Sequence, residues 1–384
     1  MRRFSDYYKM ASHEGSLSSS MPPDIKHREW GFIMFDDAPN IHMRRHKGYS
    51  SQLELEEYIQ AMVPSHVYFS AAYYEYPSAP TMKEKMWKGA DLIFDLDADH
   101  LPDAPRSYRK MLENVKAETG KLITFLQDDF GFEDLNVVFS GGRGYHIHIH
   151  DERVLTLGSP ERREIVDYLN AMALSTNNLI RTRTVGGDMG MEAADVLTIQ
   201  PRDHGGWGGR MNDWIIQKLT GIVDGGRPEK ELMKFEKVGK KKAEAIVAVF
   251  SDEEQIEAVR KGNLNALKAI PETFWEILIK EAIEELSVHV DEPVTADVKR
   301  LIRMPGSLHG KSGMKVVPLS LSGFDDFDPL SDAIVFTNGD VEVNVTRPGV
   351  VEMMGERIEA EEGVQIMPEY AAMYLMCRGA AELK

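Results

Sequence analysis

Cysteine is almost missing from this chain. Cys377 is the single one in 384 residues, which excludes an internal disulfide and any cysteine-based zinc site. Long apolar runs are missing too: nothing approaches the roughly 20 consecutive apolar residues that span a bilayer. The start, Met1-Arg2-Arg3, runs into Phe4-Ser5-Asp6-Tyr7-Tyr8-Lys9 rather than an apolar segment, so the paired arginines do not read as an export signal. The expectation is a soluble, intracellular, cytoplasmic protein with no membrane partner. Positive charge is also short, with 45 Lys and Arg against 62 Asp and Glu and a net charge of −17. A nucleic-acid binder is usually basic, so any such role must rest on a local basic face or on a partner. No internal repeat or low-complexity tract is evident. What is present is 42% apolar residues, enough for real cores, in a length that suits about two domains.

Two stretches carry recognisable chemistry. In Ala90-Asp91-Leu92-Ile93-Phe94-Asp95-Leu96-Asp97-Ala98-Asp99 a short apolar run passes into an Asp-x-Asp pair. On a strand, Asp95 and Asp97 project to one face while Phe94 and Leu96 turn to the core. Two carboxylates side by side repel, and one must take a proton unless a cation sits between them. Hard divalent ions such as Mg²⁺ accept such oxygen ligands, usually with substrate phosphates completing the shell. The second stretch, Val137-Val138-Phe139-Ser140-Gly141-Gly142-Arg143-Gly144-Tyr145-His146-Ile147-His148-Ile149-His150, reads as strand, small-residue turn and strand. Its turn has room for an anion, with Arg143 and the backbone N–H groups of 140–144 as donors.

With Ser307-Leu308-His309-Gly310-Lys311-Ser312-Gly313, these motifs in this order resemble the catalytic (small) subunit of archaeal and eukaryotic DNA primases, the archaeal branch more closely. The resemblance runs from about Arg28 to Tyr370. It implies an α/β (α+β) fold, with a primase-type catalytic core of mixed sheets and an inserted helical subdomain. The core is expected over 1–154 and 287–384, and the insertion over 155–286. The activity implied is template-directed synthesis of short RNA primers, with DNA primers a wider option, by two-metal nucleotidyl transfer. Asp95, Asp97 and Asp291 are the implied catalytic and metal-binding carboxylates, with Asp99 and Asp297 as competitors for the third place. Ser140, Arg143, His146, Arg303, His309 and Lys311 are the implied nucleotide-binding residues. The ions are two Mg²⁺ or Mn²⁺. Most of the family carries a cysteine-rich zinc element between the two motifs; here that region has no cysteine, so no zinc is expected. Implied partners are a primase large subunit, single-stranded template and nucleoside triphosphates. The resemblance also brings Glu29 and Arg44 near the catalytic sheet, where surface charges are the competing reading. A gap-filling or repair polymerase of the same fold and a non-catalytic nucleic-acid-binding subunit stand as alternatives.

Other segments read from their residues alone. Helices are expected over 4–12, ahead of a Ser-rich loop, over about 106–129 with a stripe from Tyr108 to Leu126, and from Ser159-Pro160 onward. The pattern stays mainly helical to about Leu286, interrupted by the Gly-rich stretch 203–210. Within it, Phe235 to Ile246 resembles a helix-hairpin-helix, so Lys237 to Lys242 is either a solvated helix start or a contact to a nucleic-acid backbone. Val288 to Thr295 alternates like a strand with a carboxylate at its end. Val298 to Lys315 holds Lys299, Arg300, Arg303, Lys311 and Lys315 without an acidic residue, a local basic face. A last helix is expected over 368–383 with Tyr370, Met373, Tyr374 and Cys377 on one side. His146, His148 and His150 share one strand face. A zinc site is one reading of that row. A half-solvated polar face for His148 and His150, with His146 on phosphate or ribose, is the preferred one.

Overall fold

The computed structural model describes residues 1–35, 42–100, 107–172, 174–175, 179–185 and 194–384. It separates into two units. The first comprises Met1–Gly120, Phe132–Val166 and His289–Lys384, the second Lys121–Gly131 and Asp167–Val288. Among the described residues no helix is long and apolar enough to cross a membrane.

In chain order, the strands that build the first unit's centre begin with β1 (Arg28–Ile33), β2 (Arg44–Lys47), β3 (His66–Tyr74), β4 (Trp87–Ala90) and β5 (Leu92–Asp97). They continue with β6 (Asn136–Phe139) and β7 (Gly144–Ile149); β8 (Ile180–Val185) and β9 (Ala194–Ile199) belong to the second unit; β10 (Leu301–Arg303) and β11 (Val317–Leu319) follow. One sheet runs β10-β3-β1-β2 with β4 on β3, the other β11-β6-β7-β5. Every pairing among the described strands is antiparallel, the α+β form of the expected class.

All six residues of β7 are buried. His148 stacks on Phe69 of β3 with ring centroids 5.8 Å apart, so the histidine row faces the other sheet. This corrects the half-solvated reading for His148: an alternation of His and Ile looks the same whether the His face meets water or a second sheet. Burial, followed by His150, pushes the His148 imidazole down to about 3, so it packs as a neutral ring.

A buried ion pair lies at the same place. Arg28, at the start of β1, donates to Asp91 Oδ2 at 2.7 Å, and both side chains are fully buried. Tyr73 donates to the other carboxylate oxygen at 2.7 Å and His150 Nδ1 lies 2.9 Å away. Burial alone would raise the Asp91 carboxyl, but His150, Arg28 and Tyr73 together hold it below the usual range. Glu29 is likewise buried, against Arg45 at 3.0 Å and Lys85 at 3.3 Å, while Arg44 sits exposed on β2. The helix Arg2–His13 buries Phe4, Tyr7, Tyr8 and Ala11. Through the Tyr7 hydroxyl it donates to the Gly306 carbonyl at 2.8 Å, anchoring the chain within the basic segment.

Several boundaries differ from the sequence reading. The Ser-rich segment contains a helical turn, Ser16–Ser19. The helix after β5 is Tyr108–Asp128; Arg106 lies outside the described residues. Val288 to Thr295 forms no strand: Asp291 precedes a short helix, Glu292–Ala296. Pro293 explains this, since it cannot donate to a ladder and its φ suits a first helical turn. The last helix spans only Glu369–Cys377. Gly379 then takes φ +64°, and Ala381–Leu383 pairs as a strand with Asp340–Val345. The second unit is mainly helical around a core that includes Met211, Ile215, Ile246 and Trp275. It also contains the β8–β9 hairpin, and its Gly-rich stretch opens the helix Gly206–Val223 rather than interrupting one.

The Arg28–Asp91 pair yields a stability prediction. Asp91→Ala leaves a guanidinium buried without its counter-charge and should cost about 3–5 kcal/mol, read as a lowered urea midpoint of the intact chain.

Candidate active site

Asp95 and Asp97 lie two apart on β5, opposite His146 and Gly144 of β7. The third carboxylate reaches them by one backbone bond: the Asp291 N–H donates to the Asp95 carbonyl at 3.0 Å. Burial, then Asp97 and then Asp291 push the Asp95 carboxyl up to about 6, against an opposing pull from Arg303 and Arg300. Asp97 accepts from the Asp99 N–H at 3.1 Å and lies 3.9 Å from Arg143. Asp99, just past the strand, is instead the ion-pair partner of Arg143, at 2.7 Å. Asp297 accepts from the Lys299 N–H at 2.9 Å and is exposed. The three predicted carboxylates thus come together, and the two competitors are engaged elsewhere.

A carboxylate raised by burial and by two neighbouring carboxylates, as Asp95 is, is what a divalent cation relieves. Among the described residues, no three His, Cys, Asp or Glu side chains converge to ligand distance as they stand. His146 is buried with Nε2 3.6 Å from Asp95, beyond a hydrogen bond. Its imidazole is held well below its usual range, first by burial, then by His148, Arg303 and Arg300. Among the described residues, His146 Nδ1 and Arg303 Nε are buried without a hydrogen-bond partner, so both atoms are open to an incoming polar group.

The turn between β6 and β7 closes through Ser140 N–H to the Gly144 carbonyl at 2.9 Å. Gly141 has φ +74°, and a Cβ there would lie 2.8 Å from His309 Cβ; one on Gly142 would lie 3.2 Å from His309 Nε2. Only glycine lets the basic segment approach this closely. Arg303 donates to the Ser140 carbonyl at 3.1 Å and to the Tyr68 hydroxyl at 3.3 Å. His309 packs edge-on to His66, centroids 4.9 Å apart, with Nδ1 3.1 Å from Ser312 Oγ. Both rings are held neutral: burial, then Arg303, push His66 down to about 3, and the same causes act on His309.

An open cleft of about 1280 Å³ is lined by Asp97, Ser140, Arg143, Arg303, His309 and Lys311. His66, Tyr68, Tyr108, Arg347, Tyr374 and Arg378 also line it and were not singled out from the sequence as site residues. Tyr108 and Tyr374 had read as helix-stripe residues, and nothing local marks an aromatic as core or cleft. His66 stands on an apolar strand with no motif around it.

The family profile described as DNA primase small subunit matches residues 94–321, which hold Asp95 through Lys311. The DNA primase small subunit of Methanococcoides burtonii is 52% identical over 382 residues, covering 99% of this chain and 96% of the relative. That of Methanothrix thermoacetophila is 47% identical over 393 residues, covering 99% and 97%. That of Halobacterium salinarum is 41% identical over 387 residues, covering 99% and 96%. With profile and full-length relatives pointing the same way as the carboxylates and the cationic cleft, this chain belongs to the DNA primase small-subunit family.

Proposed function

We propose that the chain is the catalytic subunit of a primase and makes short RNA primers on single-stranded DNA, with DNA primers a wider option. The observation that carries this is the placement of Asp95, Asp97 and Asp291 beside a cleft lined by Arg143, Arg303, His309 and Lys311. The three carboxylates would hold two divalent ions, Mg²⁺ or Mn²⁺, which when bound stabilise charge on the attacking and leaving oxygens. Arg303 and Lys311 bind and orient the triphosphate, a fork-shaped guanidinium and a point charge respectively. The Ser140–Gly144 turn offers its N–H groups and Arg143 to the same phosphates. His146 and His309, kept neutral, offer a donor or acceptor without adding charge. A small subunit works in a complex with a large one. The net charge of −17 leaves little cationic surface for template, so the large subunit is proposed to supply template grip during initiation.

A gap-filling polymerase of the same fold would need a 3′ end. Dinucleotide formation on a bare single-stranded template with Mg²⁺ or Mn²⁺ separates the two. Product is expected, and it should rise more on adding the large subunit than extension of a supplied primer does; a chain that only extends supplies the opposite answer.

Asp97→Ala should remove synthesis while leaving the fold intact, checked by primer gels and thermal melts. Lys311→Ala and Arg303→Ala each remove a charge-assisted contact of roughly 1.5–3 kcal/mol. Triphosphate affinity should fall about one to two decades in each, measured by calorimetry.

Stability tests the carboxylates independently of activity. Because Asp95 is raised from 3.8 to about 6, the folded chain keeps a proton that the unfolded chain has released. Metal-free stability therefore falls as pH rises between about 4 and 6 and levels off above. Asp95→Asn removes that cost, up to about 3 kcal/mol at roughly 1.4 kcal/mol per pH unit. In EDTA the variant should be the more stable protein at pH 8, with no advantage near pH 3. Millimolar Mn²⁺ should then stabilise the wild type more than the variant. Urea midpoints across pH measure all three.

A further inference from the structure

The cleft has a second cationic end that no motif announced. Arg378 caps the C-terminus of the helix Glu369–Cys377, its N–H donating to the Tyr374 and Leu375 carbonyls. A helix C-terminus favours a cation there, and the left-handed Gly379 that follows ends the helix at this point. Arg347, also on the cleft wall, donates to the Arg378 carbonyl at 2.6 Å. The Arg378 guanidinium lies 4.4 Å from the Tyr374 ring centre and 6.0 Å from that of Tyr108. Two aromatic faces thus hold it, and among the described residues no carboxylate pairs with it.

That position connects to the phosphate turn in one step. The Tyr108 hydroxyl donates to the Gly142 carbonyl at 2.6 Å, and Gly142 packs on His309. Arg378 also contributes to holding the His309 imidazole down, after burial, Arg303, His66 and Lys311. The charge balance asks for such a residue. Arg143 is already paired to Asp99, so among the described residues Arg303 and Lys311 are the cleft cations of the motifs without a close ion-pair partner to meet a polyanionic triphosphate. The cleft is also larger than one drug-sized ligand needs, since such pockets run to about 1,000 Å³. Both Arg347 and Arg378 lie beyond the stretch matched by the family profile.

We propose that Arg378, fixed on Tyr374 and Tyr108 and braced by Arg347, is a further nucleotide-binding residue that grips the terminal phosphate of the incoming nucleoside triphosphate. The proposal rests on the reading of the cleft as the nucleotide site. It makes Arg378 a determinant of triphosphate over monophosphate binding rather than of the base or the template.

The test is calorimetric binding of ATP and AMP in Mg²⁺ to the full chain, with single-stranded DNA affinity measured alongside. Arg378→Ala should weaken ATP about tenfold, the size of one charge-assisted contact, and leave AMP and single-strand affinity within about twofold. Arg378→Lys should recover part of the loss, because it keeps the charge and loses the fork. Equal losses for ATP and AMP would reduce Arg378 to wall packing, and a loss confined to single-stranded DNA would make it a template residue; either overturns the proposal, as does no change. Lys311→Ala and Arg303→Ala run in parallel. If they too leave ATP binding intact, the cleft is not the nucleotide site and both readings fall. If they lose ATP affinity while Arg378→Ala does not, the inference about Arg378 alone falls.

Discussion

Asp95 carries its carboxyl where burial and two further carboxylates, Asp97 and Asp291, all oppose its charge, and the first unit is built so that none of the three can leave. Asp95 and Asp97 are held by the β5–β7 register, which sets them opposite His146 and Gly144. Asp291 is held by its N–H on the Asp95 carbonyl. Strands are suited to this task because their side chains are fixed by a ladder of backbone bonds that repulsion between side chains does not easily break. The ladder is itself braced. Arg28 and Asp91 meet between the sheets, and Arg162 donates to the Ala90 and Asp91 carbonyls at 2.8 and 2.7 Å just before β5 begins. Two buried guanidinium groups thus fix the strand that carries the strained carboxylates.

Parts of this were legible because the information is local. An apolar run ending in Asp-x-Asp dictates a strand with two carboxylates on one face, and a Ser-Gly-Gly-Arg-Gly stretch between apolar runs dictates a tight turn. Asp291 was singled out through resemblance, but its local structure was not legible: periodicity favoured a strand, and Pro293 turned the segment into a helix start. The histidine row failed for another reason. A period of two tells which residues share a face, not what covers it, and here the second sheet does, with Phe69 against His148. The cleft's far wall was illegible for want of any local signal. Tyr108 and Tyr374 meet at 6.2 Å across more than half the chain, and such closure belongs to the tertiary fold alone.

Charge is distributed in the same economical manner. With net −17, a uniformly basic surface is out of reach, and the arginines and lysines that matter are gathered from three distant segments onto one cleft. Gathering cations raises their mutual repulsion, which the structure tempers in specific ways. Arg143 leans on Asp99, Arg303 on the Ser140 carbonyl and the Tyr68 ring, and Arg378 on Tyr374.

The histidines of the cleft follow from that gathering. His66 and His309 stand among Arg303 and Lys311, and burial together with those charges keeps both imidazoles unprotonated. A histidine with an ordinary pKa near 6.5 would add or lose a charge across the range where a cell works. Held neutral, the pair contributes shape and hydrogen-bonding atoms while the cleft's positive charge stays on groups that do not titrate there. Anion attraction in this cleft is therefore set by Arg and Lys, while Asp95 is raised to about 6 by burial and its carboxylate neighbours. On the proposed reading, a cation bound at the carboxylates would change the charge of the site at that point and leave the Arg and Lys of the cleft wall as they are.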